Sequence, residues 1–95
     1  MSRPVARLGD KEIPHCSPMV RAKGSPTVFC NGLPVSTIGM PNTPHLFPAG
    51  NSCPGHVEVL KAGGPTVFVN GLGIGHLGDP TCTVVATGSP NVFAN

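Results

Sequence analysis

A chain of 95 residues forms one domain, and its surface-to-volume ratio leaves a purely apolar core marginal, so a staple is expected. Thirteen Gly and 12 Pro exclude long helices, and 39% hydrophobic against 11% charged residues excludes a disordered chain, leaving short strands and tight turns. A net charge of +2 with six scattered Lys and Arg excludes a basic stripe for nucleic acid, and no apolar run approaches the roughly 20 residues of a membrane span.

The first element is a link, Pro4-Val5-Ala6-Arg7-Leu8-Gly9-Asp10, with counterparts at Pro34-Val35-Ser36-Thr37-Ile38-Gly39-Met40 and Gly73-Ile74-Gly75-His76-Leu77-Gly78-Asp79. The anchoring glycines are 30 and 39 residues apart, so the middle unit carries an insertion. The N-terminus lacks the apolar segment of a signal peptide, which predicts synthesis in the cytoplasm and favours thiols or a metal over disulfides for the four Cys.

After the first link come His15 and Cys16, then the phrase Gly24-Ser25-Pro26-Thr27-Val28-Phe29. It returns as Gly63-Gly64-Pro65-Thr66-Val67-Phe68 and Gly88-Ser89-Pro90-Asn91-Val92-Phe93, so one small unit is repeated. The β-branched and aromatic residues of Thr27-Val28-Phe29-Cys30 and Thr66-Val67-Phe68-Val69 predict strands, and the following Asn31-Gly32 and Asn70-Gly71 predict type I′ hairpin turns. Hairpins this short cannot bury a core singly. Three are expected to share one, with Val and Phe side chains pointing to a common axis in a roughly threefold body. The third copy stops at Asn95, where its turn would begin, so its strand is expected to pair with the N-terminal segment. All ten charged side chains lie at or before Asp79, which predicts a packed or interfacial tail.

Four His and four Cys are too many for simple packing in so apolar a chain. His15, His56 and Cys82 stand nine, seven and six residues before Gly24, Gly63 and Gly88, and His45 lies in the insertion, six residues after Gly39. Three turns would carry the first three to one end of the body, with His45 closing the shell. Three imidazoles and one thiolate make a filled tetrahedral set suited to a structural zinc, although ligand types alone also admit iron. Cys16 is an alternative to His15, and Cys53, in Cys53-Pro54-Gly55-His56, is a rival ligand. Cys30 is expected to be a buried apolar thiol. His76, matching Arg7 and Thr37, is expected to be a surface polar residue.

These residues resemble the PAAR-repeat proteins, named for a Pro-Ala-Ala-Arg motif, through Pro4-Val5-Ala6-Arg7 with Leu8-Gly9-Asp10, the Gly-Ser-Pro-Thr-Val phrases with Asn-Gly, and Leu77-Gly78-Asp79 before Cys82. The resemblance covers nearly the whole chain. It departs at Pro34-Val35-Ser36-Thr37, at Gly73-Ile74-Gly75-His76 and at Met40, where Asp is usual. It implies an all-β cone of short hairpins in pseudo-threefold arrangement, with zinc near the apex on His15, His45, His56 and Cys82. It also implies a structural, non-enzymatic role, capping a trimeric β-helical spike (a phage tail spike or a VgrG-like secretion spike) with one cap per trimer.

In that reading the protein is assembled into a phage tail baseplate or a type VI secretion spike, makes transient contact with the target membrane, and has no nucleic-acid or small-molecule partner. The Thr27-Val28-Phe29, Thr66-Val67-Phe68 and Val92-Phe93 strands are the expected spike contacts, since three similar edges suit a trimer. Alternatives are an extension-free secretion tip that recruits effector cargo, a small zinc hydrolase with Glu58 as general base, and a disulfide-bonded secreted mini-protein.

Overall fold

In the computed structural model, residues 2–14, 16–46 and 55–95 are described, and their regular structure is entirely β, with no helix among them. The strands are two residues each: β1 (Arg3–Pro4), β2 (Phe29–Cys30), β3 (Leu33–Pro34), β4 (His45–Leu46), β5 (Gly55–His56), β6 (Phe68–Val69), β7 (Leu72–Gly73) and β8 (Phe93–Ala94). They pair antiparallel as β1–β8, β2–β3, β4–β5 and β6–β7.

Both Asn-Gly turns form as the sequence predicts. Asn31 and Gly32 have φ of 55° and 78°, and Asn70 and Gly71 have 53° and 81°. Consecutive positive φ values are what a type I′ turn requires. The third phrase has no turn of its own, and its strand β8 pairs with β1, Arg3 facing Ala94 and Pro4 facing Phe93. The two ends of the described chain are thereby joined, as expected for this strand.

The three links are laced into a closed ring. Ala6 N–H donates to Gly75 O (2.9 Å), Gly75 N–H to Ser36 O (2.8 Å), and Ser36 N–H back to Ala6 O (2.9 Å). A second cycle runs alongside, with Leu8 N–H on Pro34 O, Ile38 N–H on Gly73 O and Leu77 N–H on Pro4 O. Such lacing satisfies backbone groups that strands of two residues would leave unpaired. At Gly75 a Cβ would lie 2.8 Å from Leu60 Cδ2 and 3.0 Å from Ser36 O, so a side chain there would press on Leu60 and on the ring itself.

The recurrent phrase has a local cause. Ser25 Oγ accepts from the Thr27 and Val28 N–H groups and donates to Asn70 Oδ1 at 2.5 Å. Ser89 Oγ likewise accepts from the Asn91 and Val92 N–H groups and donates to Asn31 Oδ1 at 2.6 Å. Each serine therefore fixes its own turn and ties it to the Asn of another unit's hairpin, which is why both serines are buried.

The core differs from the expectation in one respect. Phe29, Phe68 and Phe93 do not point inward, being 57%, 60% and 54% exposed, and Val28 and Val92 are exposed as well. Side chains alternate along a strand, and the next residues, Cys30 and Val69, take the inward position. With Val5, Val35 and Ile74 from the links they form one apolar cluster, against which Val67 and Ala94 pack. A second cluster joins Ala6, Leu60 and Val85. Cys30 is buried, as expected of an apolar thiol.

His76 is a further correction. It is fully buried, not a surface residue, and its Nδ1 lies 2.8 Å from Asp79 Oδ2, which also accepts the His76 backbone N–H at 2.7 Å. Arg3 Nη2 sits 2.8 Å from the other Asp79 oxygen. The Asp two residues after a link's final Leu thus folds back on that link. Arg7 and Asp10 repeat the arrangement at 3.0 Å, and the hydrogen bond to Asp10 raises the Arg7 pKa above its ordinary value.

Candidate metal centre

His45 and His56 are directly opposed in the β4–β5 register, so both imidazoles leave the pair on the same face. Their ring centroids are 4.3 Å apart, with planes at 70°. Cys82 comes from a different unit, at the tip of a tight turn closed by Thr81 N–H on Thr83 O and by Thr83 N–H on Thr81 Oγ1. A bond from Thr83 Oγ1 to Ile13 O, 2.7 Å, holds this turn against the first unit.

One ligand atom from each of His45, His56 and Cys82 lies within 4.8 Å of the others, a group able to hold a metal ion. The Cys82 Sγ to His45 Nε2 distance is 3.3 Å. That already matches the edge of a zinc tetrahedron, about 3.3–3.8 Å from the usual bond lengths. His45 Nδ1 lies 2.8 Å from Thr43 O, so Nδ1 carries the proton and Nε2, the nitrogen facing Cys82 Sγ, presents its lone pair to the cluster. A backbone carbonyl on the far nitrogen is the usual way a ligating imidazole is oriented. His45 itself is buried.

Of the four ligands read from the sequence, three meet here. His15 lies outside the described residues, as does the rival Cys53. Cys16 is disulfide-bonded, so its sulfur is not a thiolate and cannot stand in for His15. The expectation that favoured thiols or a metal over disulfides is corrected at Cys16, while Cys30 and Cys82 are free of disulfides. The Cys16 segment also braces the site, with Cys16 N–H on Leu46 O at 3.2 Å and Leu46 N–H on Ser17 Oγ at 2.8 Å.

Beside the ligands is a polar group that the sequence reading passed over. Glu12, Asn42 and Thr81 are each the third residue after an anchoring glycine, and all three are buried. Asn42 Nδ2 and Thr81 Oγ1 donate to Glu12 Oε1 at 3.0 and 2.8 Å, while Arg21 Nη1 pairs with Glu12 Oε2 at 2.9 Å. Arg21 also donates to Ser36 Oγ from Nε and to Met40 O from Nη2. The only signal for this group in the sequence is its common offset from Gly9, Gly39 and Gly78.

The candidate spike contacts lie apart from these residues. Thr27, Val28, Phe29, Thr66, Phe68, Val92 and Phe93 are exposed, whereas Val67 is half-buried against the core. Glu58, the alternative general base, is half-buried and 4.0 Å from Lys61 Nζ. No helix among the described residues is long and apolar enough to cross a membrane. A scan against protein-family models and a search of curated proteins return no match.

Proposed function

We propose that this chain is a PAAR-like tip: a pseudo-threefold cone that binds one structural zinc near its apex and caps a trimeric β-helical spike. The observation that carries the reading is one arrangement made three times. The ring of Ala6, Ser36 and Gly75 amides suspends three strand pairs, and each pair presents one exposed phenylalanine, Phe29, Phe68 or Phe93. Apolar side chains left exposed at related positions suit a docking face, and three such positions suit a partner with three identical chains.

The zinc takes His45, His56 and Cys82, with His15 as the fourth ligand, and its role is to close a domain too small to be held by its core alone. A filled ligand set leaves no position for a catalytic water, so the role is mechanical: a rigid point that meets the target envelope. Iron in place of zinc would serve the same purpose.

The test is the mass of the complex formed with a purified trimeric β-helical spike, from a phage tail or from a secretion apparatus. One chain per trimer is expected. Three chains per trimer, or no complex with either spike type, would count against the proposal.

A further inference from the structure

Asn42 is 1% exposed and reaches every segment that carries a candidate ligand. Its own chain leads to His45 three residues on. Its Oδ1 accepts the Glu58 N–H at 2.8 Å, two residues after His56, and its backbone N–H donates to Glu58 O at 2.9 Å. Its Nδ2 lies 3.7 Å from Cys82 Sγ and 3.0 Å from Glu12 Oε1. Glu12 in turn stands three residues before His15.

The amide orientation is determined, because only the oxygen can accept from Glu58 N–H and only the nitrogen can donate to Glu12. One Nδ2 hydrogen is taken by the Glu12 carboxylate. The other faces sulfur, either Cys82 Sγ or Met19 Sδ at 4.0 Å, and a thiolate accepts far better than a thioether.

We infer that Asn42 is the positioning residue of the metal centre: its side-chain amide holds Cys82 Sγ toward His45 and His56 through an N–H···S bond and makes metal binding depend on the buried Glu12–Arg21 pair. The inference rests on the metal reading proposed above. Asn42 touches no metal itself; it acts by orienting the thiolate and withdrawing charge from it.

Cobalt(II) is the probe, since a cobalt–thiolate bond absorbs in the near ultraviolet at an energy set by the electron richness of the sulfur. In Asn42→Ala the band should move to longer wavelength, and cobalt affinity should fall by about 10–100-fold, the usual cost of losing such a partner. Ser36→Ala removes a different bond in the same buried network, from Arg21 Nε, and should leave the band in place. An unmoved band and unchanged affinity in a folded Asn42→Ala would overturn the inference while leaving the metal reading intact.

A wild-type chain with no sulfur–cobalt band would overturn both. Should Asn42→Ala fail to fold, cadmium-loaded wild-type protein decides the matter by nuclear magnetic resonance. A scalar coupling between cadmium and an Asn42 side-chain amide proton, carried through sulfur, is expected, and its absence would overturn the inference.

Discussion

Arg21 Nη1 lies 2.9 Å from Glu12 Oε2 with both side chains at 0% exposure, a sealed ion pair inside a very small domain. The pair is held on both sides: Arg21 Nε and Nη2 donate to Ser36 Oγ and Met40 O, and Asn42 and Thr81 donate to the other carboxylate oxygen. Removing one partner strands a buried charge, which costs about 3–5 kcal/mol. Glu12→Leu and Arg21→Met should each lower the urea midpoint severely. The double variant Glu12→Leu with Arg21→Met should lose much less than the two single losses combined, because no charge is left unpaired. Equilibrium unfolding of the four proteins checks this, and strict additivity would show that the pair does not act as a unit.

Metal removal should destabilise the fold. A ligand held by the native state alone adds RT ln(1 + [L]/Kd), about 4 kcal/mol at a thousandfold excess over Kd. Chelator should therefore lower the melting temperature of the wild type. Cys82→Ser and His56→Ala, which each lose a donor from the cluster, should melt at a temperature that chelator no longer changes. Calorimetry alongside elemental analysis reads both outcomes, with one zinc per chain expected for the wild type.

Much of the fold was legible because it is written in local chemistry. Asn31-Gly32 and Asn70-Gly71 admit few backbone conformations, so the hairpin turns follow from the dipeptides themselves. The third phrase, Asn91-Val92-Phe93, repeats the strand chemistry of the other two, and its strand β8 pairs with the N-terminal β1. What escaped was set by tertiary placement. Nothing in Thr-Val-Phe says which face of a two-residue strand turns inward, and here Cys30 and Val69 win over Phe29 and Phe68. His76 looked like a surface residue because Arg7 and Thr37 hold its position in the other links, yet Asp79 provides a buried partner. The cluster of His45, His56 and Cys82 was readable from unit offsets, whereas Glu12, Asn42 and Thr81 are ordinary polar residues until the units close on one another.

The Cys16 disulfide should be detectable independently of any metal. Alkylation of denatured, unreduced protein, followed by peptide mass spectrometry, should label Cys30 and Cys82 and leave Cys16 unlabelled. Reduction should lower the wild-type melting temperature, with a loss of about 2–4 kcal/mol typical of such bonds. Cys16→Ala should start from the lowered value and show no further response to reductant. Labelling of Cys16 without reduction would remove the bond as a staple.

Phe29, Phe68 and Phe93 separate docking from folding. Each is more than half exposed, and surface substitutions away from special contacts usually fall within about 0.5 kcal/mol. Phe29→Ser, Phe68→Ser and Phe93→Ser should therefore unfold close to the wild type. If the three side chains are the anchors of a face that meets a trimeric spike, each loss should weaken binding by about 2 kcal/mol or more, some 30-fold, as buried aromatic anchors do. The three penalties should also be similar, because the three positions are related through the Ala6–Ser36–Gly75 ring. Titration of each variant against the spike gives the comparison. One large effect beside two negligible ones would point to an asymmetric contact, and three wild-type affinities would place the docking face elsewhere on the molecule.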